Sequence, residues 1–185
     1  QPLAMAAFSG LHLELINNTI AYNTGPGYAM TVGYPDSGKP AVTNVHLTMT
    51  NNIFAFNTDR QTGTPLGLYL GPGVILTEGY NLYHSRDECE IEAQFSGREE
   101  PCYSRAEIAR GNWTADSGQG RGDLTNDPRF VSGPPAPDLR LAANSPAIDA
   151  GTAAGAPGVD IDGLLRPEGS APDMGAYEHR ALEPC

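Results

Sequence analysis

Residues 12–24 read HLELINNTIAYNT, and residues 46–58 read HLTMTNNIFAFNT. His12 aligns with His46, Asn17-Asn18 with Asn51-Asn52, Ile20-Ala21-Tyr22 with Phe54-Ala55-Phe56, and Asn23-Thr24 with Asn57-Thr58. A phrase rewritten at a fixed interval marks stacked units, because a short unit cannot bury its apolar face alone and must lean on its neighbour. A third, weaker copy, VILTEGYNLYHS, sets Leu82 at the place of Ile20 and Phe54, with the interval cut from 34 to 28 residues.

Within each copy the side chains alternate: Leu13 and Leu15 with His12 and Glu14, Leu47 and Met49 with His46 and Thr48. Period two predicts strands, as do the short runs YAMTV (28–32) and LGLYL (66–70) between copies. No window holds helical periodicity over three turns, which excludes helical repeats. No Asn-Gly-type turn flanks the strands, so a winding parallel arrangement is simpler than hairpins. In a parallel β-helix like residues lie over like, and Asn17, Asn18, Asn51 and Asn52 become a structural ladder at a bend, where Asn tolerates left-handed backbone. His12 and His46 read as stacked outward side chains. The chain divides into coils over 1–85, a polar irregular excursion over 86–120 in which SRAEIARG is a short helix, and terminal coils with a C-terminal cap over 121–185.

The formal charge of −11 falls mostly beyond Ser85, since residues 1–85 hold only Glu14, Asp36, Asp59 and Glu78 against Lys39 and Arg60. Dispersed cations on an acidic chain argue against a nucleic-acid partner. No apolar run reaches membrane-spanning length. QPLAMAAFSG lacks the basic start and apolar core of a secretory leader, which sets the start of this chain after any leader. Of the three cysteines, Cys89 and Cys102 flank EIEAQFSGREEP, where a disulfide adds roughly 3 kcal/mol by restricting the unfolded chain. Cys185 is left as a free thiol or a bridge to another chain. No Cys/His spacing fits zinc. The cysteines lean toward an oxidising compartment.

The succession GYNL, GDL..DPRF, DLRL, NSPAIDAG, D-x-DG..RP and DMGAYE, over roughly 79–179, resembles the C-terminal end of bacterial right-handed parallel β-helix proteins. These are the pectate-lyase-like superfamily, in the form that carries a choice-of-anchor Q region. The resemblance implies an all-β, right-handed parallel β-helix of about three coils with an irregular C-terminal capping region. It also implies a secreted or cell-surface protein. Its motifs mark terminal coils and say almost nothing of activity.

Physical reading of the same tail gives Arg166, Asp173 and Glu178 as a structural charge network. Asp160 and Asp162 open like a calcium loop but lack its distal Glu; calcium there is the one cofactor considered, and otherwise none is expected. A β-helix glycosidase needs carboxylates facing a groove roughly 5 to 9 Å apart, and no two of Glu14, Asp36, Asp59 and Glu78 share a phase. Tyr28, Tyr34, Tyr69 and Trp113 are the candidates for stacking on carbohydrate. The coil sequence AFSGLHLELINN has no capping helix before it, so the N-terminal edge is expected to meet preceding coils or another copy of the chain; repeated docking of that kind builds fibres. The expected role is therefore extracellular scaffolding or adhesion, with self-assembly and a polysaccharide-facing surface as its extensions. The alternative is the C-terminal part of a polysaccharide lyase or glycoside hydrolase whose active site lies in coils outside this chain.

Overall fold

Three times over, the chain passes through three sheets in the same order, and twice it adds a strand to a fourth. The computed structural model describes residues 3–5, 10–25, 28–33, 43–59, 67–85, 89–94 and 102–180. The first pass is β1 (Leu3–Met5), β2 (His12–Ile16), β3 (Thr19–Ala21) and β4 (Thr24–Gly25). The second is β5 (Met30–Val32), β6 (Val45–Thr50), β7 (Ile53–Ala55) and β8 (Thr58–Asp59). The third is β9 (Leu68–Leu70), β10 (Val74–Gly79) and β11 (Leu82–His84), after which β12 (Ile91–Ala93) returns to the first sheet. Each strand pairs in parallel with its counterpart one pass later, so the protein is mostly β with parallel sheets.

Alternation fixes what faces inward. Leu15 and Met49 lie opposite one another in the β2–β6 pair and are buried, while His12 and His46 project outward with their rings stacked at 4.5 Å. Phe54 and Tyr83 stack inside at 5.5 Å. Turning each corner requires a residue at positive φ, supplied by Asn17, Asn51 and Tyr80 before the third sheet and by Tyr22 and Phe56 after it. Left-handed backbone costs a non-glycine residue about 1–2 kcal/mol, which Asn offsets with local bonds and the Tyr22–Phe56 pair offsets by ring stacking at 4.9 Å. Where passes approach most closely only glycine fits: a Cβ on Gly71 would stand 1.9 Å from the Gly33 carbonyl oxygen.

The third copy takes a different register from the sequence alignment. Tyr83, not Leu82, lies opposite Phe54, and Leu82 lies opposite Ile53, so Asn81 falls in the Asn52 column at a separation of 29. One residue of slip exchanges the two faces of a strand, and the buried amide column outweighs the apolar match that favoured Leu82.

Residues 86–120, expected to be irregular, include the end cover of the stack. β12 extends the first sheet, and β13 (Cys102–Tyr103) pairs with it antiparallel. The Cys89–Cys102 disulfide, with Cα atoms 5.5 Å apart, ties the two together. Helix α1 (Arg105–Ala109) starts at a Ser104–Glu107 capping box, the helix expected in SRAEIARG. Helix α2 (Asn112–Ser117) follows. Both insert apolar side chains into the main core: Ile108 from α1 and Trp113 from α2, beside Tyr103. Residues 121 and 124 then bridge in parallel to Gly79 and Leu82, a further rung.

β14 (Phe130–Ser132) and β15 (Asp138–Leu141) form an antiparallel pair with a bulge. Residues 147–178 run back along the outer side of the third sheet as far as the first pass, where Asn17 donates to the Asp173 carbonyl at 2.8 Å. Leu141, Ala147 and Met174 bury Ile53, Ala55 and Leu82 there in a second core. The third sheet is thus covered on both faces, which is why β7 has no exposed residue.

Candidate functional site

Two columns of asparagine divide the work at the corners. Asn52 is fully buried; its Oδ1 accepts from the Asn18 backbone N–H (2.9 Å) and side-chain amide (3.2 Å), and its Nδ2 donates to the Leu15 carbonyl (2.7 Å) and Asn81 Oδ1 (2.9 Å). Asn23 and Asn57 repeat the arrangement at the next corner. The Asn17–Asn51 column faces the tail instead: Asn51 bonds Asn17 Oδ1 at 3.2 Å and clasps Thr152 through both its N–H and carbonyl at 2.8 Å. Asn17, Asn51 and Asn52 thus spend their amides inside the protein.

The aromatic residues considered for carbohydrate are placed differently. Trp113 is fully buried and Tyr69 is 5 % exposed, so neither presents a ring face to solvent. Tyr28 is half-buried, packs on Tyr69 at 5.1 Å and gives its hydroxyl hydrogen to Glu92. Tyr34 lies outside the described residues, as does Cys185. A sequence pattern marks an aromatic residue but not the layer that covers it.

In the tail, Arg166 donates to Glu178 Oε1 (2.5 Å) and to the carbonyls of Asp173 (3.0 Å) and Gly175 (2.8 Å). Its ion pair is with Glu178; it meets Asp173 through the backbone. The Asp173 carboxylate instead accepts the N–H groups of Asp149 (2.8 Å) and His179 (2.6 Å), and burial pushes it up to about 6. Asp160 is buried, with Oδ1 accepting from Asp162 and Leu164 and Oδ2 from the Glu178 N–H. Three N–H donors thus hold the Asp160 carboxylate, two of them forming the turn, while Asp162 is exposed. Among the described residues no three His, Cys, Asp or Glu side chains converge on a metal position.

Asp160, Asp162 and Glu178 floor an open basin of about 490 Å³, edged by Val131, Arg140, Leu164, His179 and Arg180. Arg140 is bidentate on Asp138 and holds that carboxyl below the usual range. With Asp160 and Glu178 committed to backbone and arginine, the basin lacks the two free acids of a glycosidase.

A second cluster of titratable groups, inside the main core, is one that sequence reasoning missed. Glu78 is an inward residue of β10, on the face of Val74 and Leu76 and in the column of Leu15 and Met49, and it is buried. Its Oε1 accepts from the Trp113 indole N–H (2.5 Å), and its Oε2 accepts from Asn81 (2.7 Å) and the Tyr83 hydroxyl (3.2 Å). Asp123 lies beside it, with Oδ1 accepting the Asn81 N–H at 2.8 Å. Burial raises Glu78, and burial together with the Glu78 charge raises Asp123 well above its ordinary value. Burial and the Glu78 charge likewise raise the Tyr83 phenol.

No protein-family model matches the chain, and no curated protein or solved structure does either.

Proposed function

We propose that this chain is part of a right-handed parallel β-helix scaffold, related to the pectate-lyase-like proteins its tail resembles. On this reading it works outside the cell or at its surface, joining end to end with further coils along the edge formed by β1–β4. One observation supports this above the rest. Among the described residues β1, β2, β3 and β4 each pair on one side only, while β5, β6 and β7, the partners of the first three, pair again on their other side. Backbone alternation turns the N–H and C=O groups of His12, Glu14 and Ile16 toward that free side, because Leu11 already accepts from His46 at 2.9 Å on the other. Four short parallel edges aligned at one end form a template for another layer of the same kind. The saturated asparagines and the committed acids of the basin favour architecture over catalysis.

Sedimentation velocity over a range of concentrations, with electron microscopy, tests the self-association arm. Wild type is expected to form linear oligomers, and Glu14→Pro, which removes an outward N–H without touching the β2–β6 pairing, to shorten or abolish them. A wild type that stays monomeric throughout, or a Glu14→Pro protein that assembles equally well, overturns it.

A further inference from the structure

We propose that Glu78 and Asp123 hold a single proton between them at neutral pH, and that this proton latches α2 and the 119–124 rung onto β10. The inference starts from an unmatched atom. Asp123 Oδ2 is buried and meets no hydrogen-bond donor, and the group beside it is the Glu78 carboxyl, itself an acceptor when ionised. A proton on either turns that contact into a donor–acceptor pair and supplies the missing partner.

The surroundings leave few other solutions. Both carboxyls grip Asn81, Glu78 through its side-chain amide and Asp123 through its backbone N–H. From β11, Tyr83 offers a hydroxyl; from α2, Trp113 offers an indole N–H, while Asp116 accepts from Tyr103 at 3.1 Å; from the rung, Gln119 accepts the Glu78 N–H at 3.0 Å. Glu90, near the end of β11, adds negative charge next to Tyr83. The basic groups of these elements, His84, Arg105, Arg110 and Arg121, make no bond to either carboxyl, and Arg105 is occupied with His84 at 2.9 Å. Two ionised carboxylates in this buried site would face each other without a cation among the described residues, an arrangement that retains one proton on the pair.

The proton has a mechanical consequence. Glu78 is the hydrogen-bond anchor of Trp113, whose ring fills the capped end of the main core. Asp123 belongs to the rung that closes under β10 and β11 through Tyr80, Tyr83 and Leu124 backbone bonds of 2.8–2.9 Å. Removing the proton sets strand and rung against one another and frees the helix between them. Both carboxyls are raised in the folded state, so the stabilisation is complete at low pH and is lost as pH climbs through their folded values.

Trp113 is the single tryptophan of the chain, so its emission reports on the latch directly. Asp123→Asn puts an amide N–H where the proton sits and keeps an acceptor for Asn81. In wild type, protection of residues 112–117 relative to Asp123→Asn should fall by about tenfold per pH unit from the ordinary carboxylate range up to the folded value of the pair, the slope of one linked proton, and level off where Trp113 emission changes, above neutral pH. The variant should show no such transition. Identical pH curves for the two proteins, or a wild type flat into strongly alkaline solution, overturn the proposal. Infrared difference spectra of wild type alone give a second test that no folding defect can confound. A protonated-carboxyl band at neutral pH that bleaches with the Trp113 transition supports the latch, and its absence overturns it.

Discussion

Replacing Asn52 by alanine tests the central mechanical claim, that buried amide columns bind one pass to the next. The side chain makes four hydrogen bonds from a fully buried position, reaching the passes on both sides. Each is worth roughly 1 kcal/mol net, and the Asn18 N–H stranded by the substitution adds a desolvation cost, so the loss should be about 3–4 kcal/mol. Against a typical total of about 5–15 kcal/mol, that is a large share. Asn18→Ala is the matched control: it removes bonds to Asn52 and the Ile16 carbonyl from an exposed side chain, and should cost about 0.5–1 kcal/mol. Asn52→Asp should exceed the alanine loss, because an acidic oxygen would replace the donor facing Asn81 Oδ1. Urea unfolding followed by circular dichroism, with m-values compared, provides the measurement. If Asn52→Ala and Asn18→Ala fall within about 1 kcal/mol of each other, the ladder is not what couples the passes.

Other substitutions probe the cap and the tail. Loss of the Cys89–Cys102 bridge by a double alanine change should cost roughly 3 kcal/mol, read as a lower Tm that matches wild type measured in reductant. Arg166→Met strands the buried Glu178 charge and should cost about 3–5 kcal/mol by urea unfolding; Arg166→Lys should recover only part, since one ammonium cannot serve Glu178 and two carbonyls in the guanidinium's planar geometry. Burial raises Asp173 to about 6 from 3.8, so the folded state holds that proton more tightly than the unfolded chain. Wild type should therefore lose stability relative to Asp173→Asn as pH rises through this window, and a difference independent of pH would contradict it.

Strand positions were legible because period two and a repeated phrase act locally: β2 and β6 fall where HLELI and VHLTMT alternate. The Asn17–Asn51 and His12–His46 pairings were equally readable, since equal loops keep equal residues opposite one another. The third copy shows where this stops. Matching Leu82 to Phe54 set Glu78 level with Thr50, an outward place, whereas true register sets it level with Met49, inside. A single residue of slip therefore concealed the most unusual group in the core. Its partner Asp123 was out of reach for another reason, because 42 residues separate it from Asn81 and no periodicity spans the helices between. Burial of Trp113 and Tyr69 depends on layers that a linear pattern does not record.

Bonds from Asn17 to Asp173 and Gly175 join positions 156 and 158 apart in sequence, so the tail holds down the first pass. A simple solenoid can nucleate anywhere and fray from its ends one unit at a time. Here the tail bonds both Asn17 and Asn51, so it straps the first pass to the second and the two cannot fray independently. Under a pulling force the strapped passes are expected to give way at one cooperative yield point in place of a staircase of small ones.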